Sequence, residues 1–320
     1  VGAPAAACVR AAILCKSDLV TGMVGEFPDL QGIMGRYLAR HDGEPAAVAR
    51  AIEEHYLPRY AGGALPQSPA GQVLALADRL DSLVGLFIAG EEPTGEKDPY
   101  GLRRAALGVI RILVEKKLDL NVAALVEDAA DGYASDGLVS GESAKSQCAT
   151  FILERYRALY TTLGFAQDEI SAVLEAGASR PLDFDRRLKA VSRFRHHRDA
   201  PSLAAANKRI RNILRKSEES IPAQIDAQQL TESAEIALSQ AILKTAGAIA
   251  PAIAKGDYAA ALRTLAGLRP VVDGFFDEVM VMSPDRAVRT NRLALLGQLN
   301  QLFLGIADIS LLQTLETGDG

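Results

Sequence analysis

Residues 70–87 read AGQVLALADRLDSLVGLF, and their apolar positions recur at the spacing of one helix face. The i, i+3, i+4, i+7 spacing predicts an amphipathic α-helix with one buried side. It argues against a strand, in which side chains alternate between two faces. The positions that form this stripe are Val73, Leu76, Ala77, Leu80, Leu83, Val84 and Phe87.

The rest of the chain shows the same helical period. Residues 45–56 (PAAVARAIEEHY) repeat apolar residues every four positions. Asp98-Pro99 and Ser283-Pro284 each join a good N-cap residue to a proline that fits the first helical turn, so we expect helices to begin there. Only Val279–Met282 (VMVM) alternates like a strand, and it is short. The sequence therefore predicts an all-α fold.

Composition indicates a globular protein of about two domains. The chain has 320 residues, of which 48% are hydrophobic and 23% charged, enough to bury a sizeable core. No apolar run reaches the roughly 20 residues of a membrane span, so we expect no membrane contact. The start at Val1 lacks the basic segment of a signal peptide and suggests a piece of a longer chain.

The three cysteines, Cys8, Cys15 and Cys148, are widely spaced and form no CxxC pair. This spacing predicts neither a disulfide framework nor a zinc site. Reduced thiols are typical of the cytoplasm, which is the localisation we expect.

Residues 127–147 are rich in Asp, Gly, Ser and Ala and contain few large apolar side chains. Such composition favours a linker or loop. We therefore predict a first domain at residues 1–126, a linker at 127–146 and a second domain at 147–320.

Basic residues are concentrated in one part of an acidic chain. The net charge is −5, yet residues 180–216 hold twelve Lys or Arg against three Asp. One interpretation is a solvated helix face whose cations pair with acids elsewhere. The other is a surface that binds phosphates of a polyanion, because cations displace its counterions.

Some stretches of the sequence resemble HD-type phosphohydrolases, which bind a metal through His and Asp side chains on helices. Residues 76–83 (LADRLDSL) resemble the helix that carries the last metal ligand, here Asp78. The His-Asp doublet is replaced by Cys15-Lys16 in AAILCK, and a protonated lysine repels a cation. His41-Asp42 lies in a turn-like RHDGEP segment, and His55 fits a helix face better than a metal site. We therefore expect a degenerate metal site.

Several stretches together resemble the β subunit of bacterial heterotetrameric glycyl-tRNA synthetase (glycine–tRNA ligase). The most specific are EFPDLQGIMG at 26–35, DPYGLRRAALG at 98–108 and FFDEVMVM at 275–282. HYLP at 55–58 and SLAAANKRIRNIL at 202–214 extend the match in the same order along the chain.

The resemblance implies a C-terminal part of that subunit, with an HD-like helical domain followed by an α-helical, DALR-like anticodon-binding domain. It implies tRNA(Gly) and the α subunit, in an α2β2 assembly, as partners, and no DNA. Glycine activation with ATP and Mg²⁺ would occur on the α subunit. We thus expect no catalytic residue, metal or cofactor in this chain.

The basic run falls inside the anticodon-binding domain that the resemblance implies, where cations on phosphates and Arg or aromatic planes under bases bind RNA loops. Lys16, Arg103 and Arg104 are weaker candidates for the acceptor arm, and Phe275 and Phe276 are expected in the core. The candidate tRNA-binding residues are Arg193, Arg195, Lys208, Arg209, Arg211, Arg286, Arg289, Asn291 and Arg292.

Three functions remain open at this point. The first is tRNA binding that positions tRNA(Gly) for the α subunit. The second is a metal-dependent HD-type nucleotide phosphohydrolase that uses Asp78. The third is a structural module that docks the α subunit without binding tRNA.

Overall fold

The computed structural model describes residues 1–93, 97–135, 141–217 and 219–313. These residues form fifteen α-helices joined by short turns and 3₁₀ segments, and they contain no β-strand, which confirms the all-α prediction. The helices are α1 (Ala5–Leu14), α2 (Gly22–Glu26), α3 (Ile33–His41), α4 (Ala46–Glu54), α5 (Pro69–Ile88), α6 (Leu102–Glu115), α7 (Val122–Ser135), α8 (Glu142–Thr162), α9 (Gln167–Glu175), α10 (Pro181–Arg195), α11 (Ala200–Lys216), α12 (Ser233–Ala254), α13 (Tyr258–Ala266), α14 (Arg269–Glu278) and α15 (Arg286–Leu304).

Helix α5 is the centre of the first half of the chain. The Ser68 hydroxyl caps it by accepting a hydrogen bond of 3.1 Å from the Gly71 amide, and Pro69 occupies the first turn. The predicted stripe faces the core, except that Ala77 is exposed and Val73 half-buried. Helices α1, α4, α6 and α7 pack around α5.

Two predicted helix starts lie later than expected. Helix α6 begins at Leu102, and the Asp98 carboxylate accepts hydrogen bonds from the amides of Leu102 (2.7 Å) and Arg103 (3.0 Å). Helix α15 is capped by Asp285, not by Ser283. In both places an acidic side chain satisfies amides of the first turn. For α6 this residue is the predicted Asp98, although the helix begins later than expected; for α15 the prediction of Ser283 as the cap was wrong.

The chain divides into two compact units, Val1–Leu159 with Ser179–Leu182 and Tyr160–Ala178 with Asp183–Gly320. The predicted linker at 127–146 differs from this division. Residues 127–135 belong to α7, which packs on α5, and residues 142–146 begin α8. Residues 136–140 lie outside the described part. Alanines among the small residues of this stretch are good helix formers, which explains why its composition was misleading.

The second unit is organised around α11, α12, α14 and α15, which pack against one another. Its core includes Leu203, Ile210, Phe275, Leu296 and Phe303, all almost fully buried. The VMVM segment follows α14 and is irregular: Val279 and Val281 are buried whereas Met280 and Met282 are exposed. Its alternation is real, but no strand pairs with it within the described residues.

Helix α12 corrects the expectation that no segment is apolar enough for a membrane. By length and composition Ser233–Ala254 passes that test, with 22% of its best window buried. A single such helix is weak evidence, because core helices of soluble proteins pass too. Here Glu235 lies in an ion pair with Arg292 inside the second unit.

Candidate nucleic-acid interface

Helix α11 is amphipathic, with one buried face and one charged, exposed face. Leu203, Asn207 and Ile210 are buried at spacings of four and three residues. Lys208 and Arg209 therefore turn outward, as do residues one helical repeat later. We call Lys208, Arg209, Arg215 and Lys216 the basic face of α11; all four are exposed.

No ion pair among the described residues engages any cation of the basic face. Arg193 on α10 is likewise exposed, and no ion pair within the described part of the chain engages it. Long side chains that carry a charge into solvent without a carboxylate partner remain available to phosphates. The pairing interpretation of the basic run therefore does not apply to these residues.

Arg209 is positioned by an aromatic ring. Its guanidinium carbon lies 4.1 Å from the centre of the Phe276 ring, a cation–π contact. Phe276 is half-buried and meets Phe275 edge-on, with ring centres 5.6 Å apart. Phe275 is in the core as expected, whereas Phe276 supports an exposed Arg. No sequence pattern indicates this pair, because 67 positions separate the two residues.

Arg195 and Arg211, by contrast, form ion pairs with carboxylates of the second unit. Arg195, whose side chain is 12% exposed, donates to the Asp168 carboxylate at 3.0 Å and lies 3.5 Å from Glu169. Arg211 pairs with the buried carboxylate of Asp308. These ion pairs join α10 to α9, which carries Asp168 and Glu169, and α11 to the segment that carries Asp308. The two guanidinium groups are less suited to phosphates than the basic face.

The arginines at the start of α15 are not equivalent. Arg286 is 83% exposed and its Nε is 4.0 Å from Glu219. Arg289 donates to Glu219 at 2.5 Å and to the Ser283 carbonyl at 2.7 Å. The hydrogen bonding between Arg289 and Glu219 lowers the pKa of the Glu219 carboxyl. Of the two, only Arg286 presents its charge freely to solvent.

Asn291 and Arg292 are buried and structural in their contacts. The Asn291 side chain accepts from the Asp226 amide at 2.8 Å and donates to its carbonyl at 3.0 Å. Arg292 binds the carboxylates of Glu235 and Glu232 and the Met280 carbonyl. With 6% and 4% of their surface exposed, neither reaches a ligand in this conformation.

In the first unit, the surroundings of Asp78 differ from a metal centre. The Lys16 ammonium lies 2.5 Å from the Asp78 carboxylate, and this hydrogen bond raises the pKa of Lys16. His55 is fully buried; its Nδ1 is 2.6 Å from the Ile52 carbonyl, and burial lowers its pKa. His41 and Asp42 are exposed at the end of α3. The described residues include no cluster of three His, Cys, Asp or Glu side chains that could hold a metal.

Two family models match successive parts of the chain. A family model described as "Glycyl-tRNA synthetase beta subunit" matches residues 3–175. A second, described as "DALR anticodon binding domain", matches residues 203–315, which include the basic face and α15. The first match continues beyond the predicted boundary at 126.

Curated relatives agree along nearly the whole chain. The glycine–tRNA ligase β subunit of Aeromonas hydrophila is 50% identical over 313 residues, 98% of this chain and 45% of its own length. The same subunit of Tolumonas auensis is 49% identical with the same coverage. That of Pseudomonas aeruginosa PAO1 is 51% identical over 303 residues, 95% of this chain and 44% of its own. The chain thus spans about half the length of these relatives, and it belongs to the glycyl-tRNA synthetase β-subunit family.

Proposed function

We propose that this chain is the tRNA(Gly)-binding part of a glycine–tRNA ligase β subunit. It would hold the tRNA while a separate α subunit, using ATP and Mg²⁺, attaches glycine in the cytoplasm, within an α2β2 assembly. This reaction and these partners belong to the whole enzyme, of whose β subunit the chain spans about half. The supporting observation is the unpaired basic face of α11 inside the region that matches an anticodon-binding domain.

The basic face suits RNA in two ways. Lys208, Arg215 and Lys216 offer ammonium and guanidinium donors to the phosphate backbone, which contributes affinity without reading sequence. Arg209 above Phe276 offers a planar cation of fixed position. Unpaired bases of an RNA loop stack on such planes. Arg193 and Arg286 would serve as accessory phosphate contacts. The residues that would position the helices are Arg195, Arg211, Arg289, Asn291 and Arg292.

The test is tRNA binding measured for the 320-residue chain and for the full-length β subunit with its α subunit. We expect Arg209→Gln and Phe276→Leu to weaken binding of tRNA(Gly) by about threefold to tenfold, since one stacked contact contributes about 1 kcal/mol. They should also reduce the preference over a tRNA with a changed anticodon. Lys244→Gln, which removes an exposed cation of α12, is the matched control.

Equal binding by the Arg209 and Lys244 variants would contradict an RNA contact at the basic face. If the full-length β subunit, assembled with its α subunit, did not bind tRNA, docking of the α subunit would be the favoured function. The phosphohydrolase alternative requires metal binding at Asp78, which the Lys16 ammonium already contacts at 2.5 Å.

A further inference from the structure

The first unit contains an open cleft that RNA binding by the second unit does not use. Its volume is about 370 Å³, within the range of roughly 300–1,000 Å³ typical of small-molecule sites. The cleft lies beside α5 and the start of α6. The side chains that matter for its chemistry are Tyr56, Arg59, Asp78, Arg79, Tyr100 and Arg104.

The lining is cationic. It includes three guanidinium groups and one carboxylate, Asp78, whose charge is offset by the Lys16 ammonium at 2.5 Å. Arg79 is 8% exposed and donates to the carbonyls of Ala75, His55, Tyr56 and Pro58. Its charge is therefore fixed in place by neutral acceptors. A buried positive charge of this kind raises the affinity of the cleft for an anion.

Arg59 and Arg104 remain able to donate to a ligand. No ion pair among the described residues engages either side chain. The guanidinium of Arg104 lies over Gly101, where a Cβ would come within 2.8 Å of its Nη2, so the absence of a side chain lets it rest there. Arg59 lies 5.6 Å from the Tyr56 ring centre and makes one hydrogen bond, to the Gln31 carbonyl. Two such forks suit the oxygens of a phosphate.

An aromatic surface completes the cleft. Tyr100 is 54% exposed and lines it next to Gly101. An exposed tyrosine ring beside guanidinium planes is a stacking surface for a nucleobase. Cations for a phosphate and a ring for a base together favour a nucleotide over an inorganic anion.

We propose that this cleft binds one nucleoside monophosphate unit, with its phosphate between Arg59 and Arg104 and its base against Tyr100. The unit has two possible sources, a free nucleotide or the terminal nucleotide of an RNA strand. The chemistry of recognition is the same for both. The cleft belongs to the first unit, and its binding does not depend on the RNA contacts proposed for α11.

The experiment uses isothermal titration calorimetry at low salt with two kinds of probe. One is AMP or GMP; the other is a short RNA hairpin with a single-stranded 3′ end, compared with the same hairpin lacking its terminal nucleotide. Arg104→Gln and Tyr100→Ala test the site, and Arg50→Gln, an exposed arginine of α4, is the control. Thermal melts establish that each variant is folded.

We expect Arg104→Gln to weaken binding about tenfold and Arg50→Gln to leave it unchanged, since Arg104 lines the cleft and Arg50 does not. Binding of AMP or GMP with this pattern supports the site and identifies a free nucleotide as ligand. Binding only of the complete hairpin, with the same pattern, supports the site and identifies an RNA end. No binding of either probe, or equal losses in the Arg104 and Arg50 variants, overturns the proposal.

Discussion

Arg292 and Glu235 form an ion pair that water scarcely reaches. Arg292 is 4% exposed and Glu235 fully buried. Burial alone would raise the pKa of Glu235, but hydrogen bonds from the Glu232 amide, the Arg292 guanidinium and the Thr231 amide outweigh it and lower the pKa. Removal of one partner would leave a buried charge without compensation, which is costly in protein interiors.

We predict that Arg292→Gln lowers the free energy of unfolding by about 3 kcal/mol at pH 7. The control is Arg286→Gln, six residues earlier on α15 and 83% exposed, which should cost less than about 0.5 kcal/mol. Urea unfolding followed by circular dichroism measures both. Similar small losses in the two variants would show that the ion pair contributes little.

The same pair predicts a direction for the pH dependence of stability. Because the folded-state pKa of Glu235 is lowered, its contribution is present above the unfolded value, near 4.5, and is lost as the pH falls through the folded value. Wild-type stability should therefore decline in acid more steeply than that of Glu235→Gln. Unfolding free energies measured between pH 3 and 7 would reveal parallel curves if Glu235 did not contribute.

Cysteine reactivity reports burial at a single residue. Burial raises the pKa of the Cys148 thiol to about 12, so almost no thiolate exists at pH 8. In a Cys8→Ser, Cys15→Ser variant we predict no rapid reaction with a disulfide reagent at pH 8, and full reaction after urea is added. Fast labelling of the native variant would contradict the fully buried position of this thiol.

At the scale of the helix, the Asp98 side chain determines where α6 begins. It satisfies two amides that would otherwise lack partners. Asp98→Ala should lower the unfolding free energy by about 1 kcal/mol, whereas Asp98→Asn, also a good cap, should lower it by less. Chemical denaturation of the two variants provides the comparison, and an equal loss in both would argue against capping.

Sequence patterns predicted where the helices lie better than they predicted which side chains contact one another. The period of residues 70–87 predicted α5 because burial of one face is a local property. The basic run predicted an exposed cationic helix but could not separate Arg209 from Arg211. The carboxylate that engages Arg211 is Asp308, 97 residues away, and the ring beneath Arg209 is Phe276. Such long-range pairs arise from tertiary packing, which periodicity does not encode.

At the scale of the molecule, an acidic chain and an anionic RNA repel each other except where cations are concentrated. The net charge of −5 includes the twelve cations of residues 180–216, so the remainder is strongly acidic. Binding of tRNA by the second unit should therefore centre on the basic face of α11, and should weaken steeply with salt.

Counterion release makes this expectation quantitative. If the four cations of the basic face each neutralise one phosphate, the logarithm of the association constant should fall with the logarithm of salt at a slope of about −3 to −4. The double variant Lys208→Gln, Arg209→Gln should reduce the magnitude of that slope by about 1.5. The double variant Lys244→Gln, Lys255→Gln, which removes the same charge from exposed positions outside the basic face, should leave the slope unchanged. Equal slopes in the two double variants would mean that net charge, not the position of these cations, governs binding to tRNA.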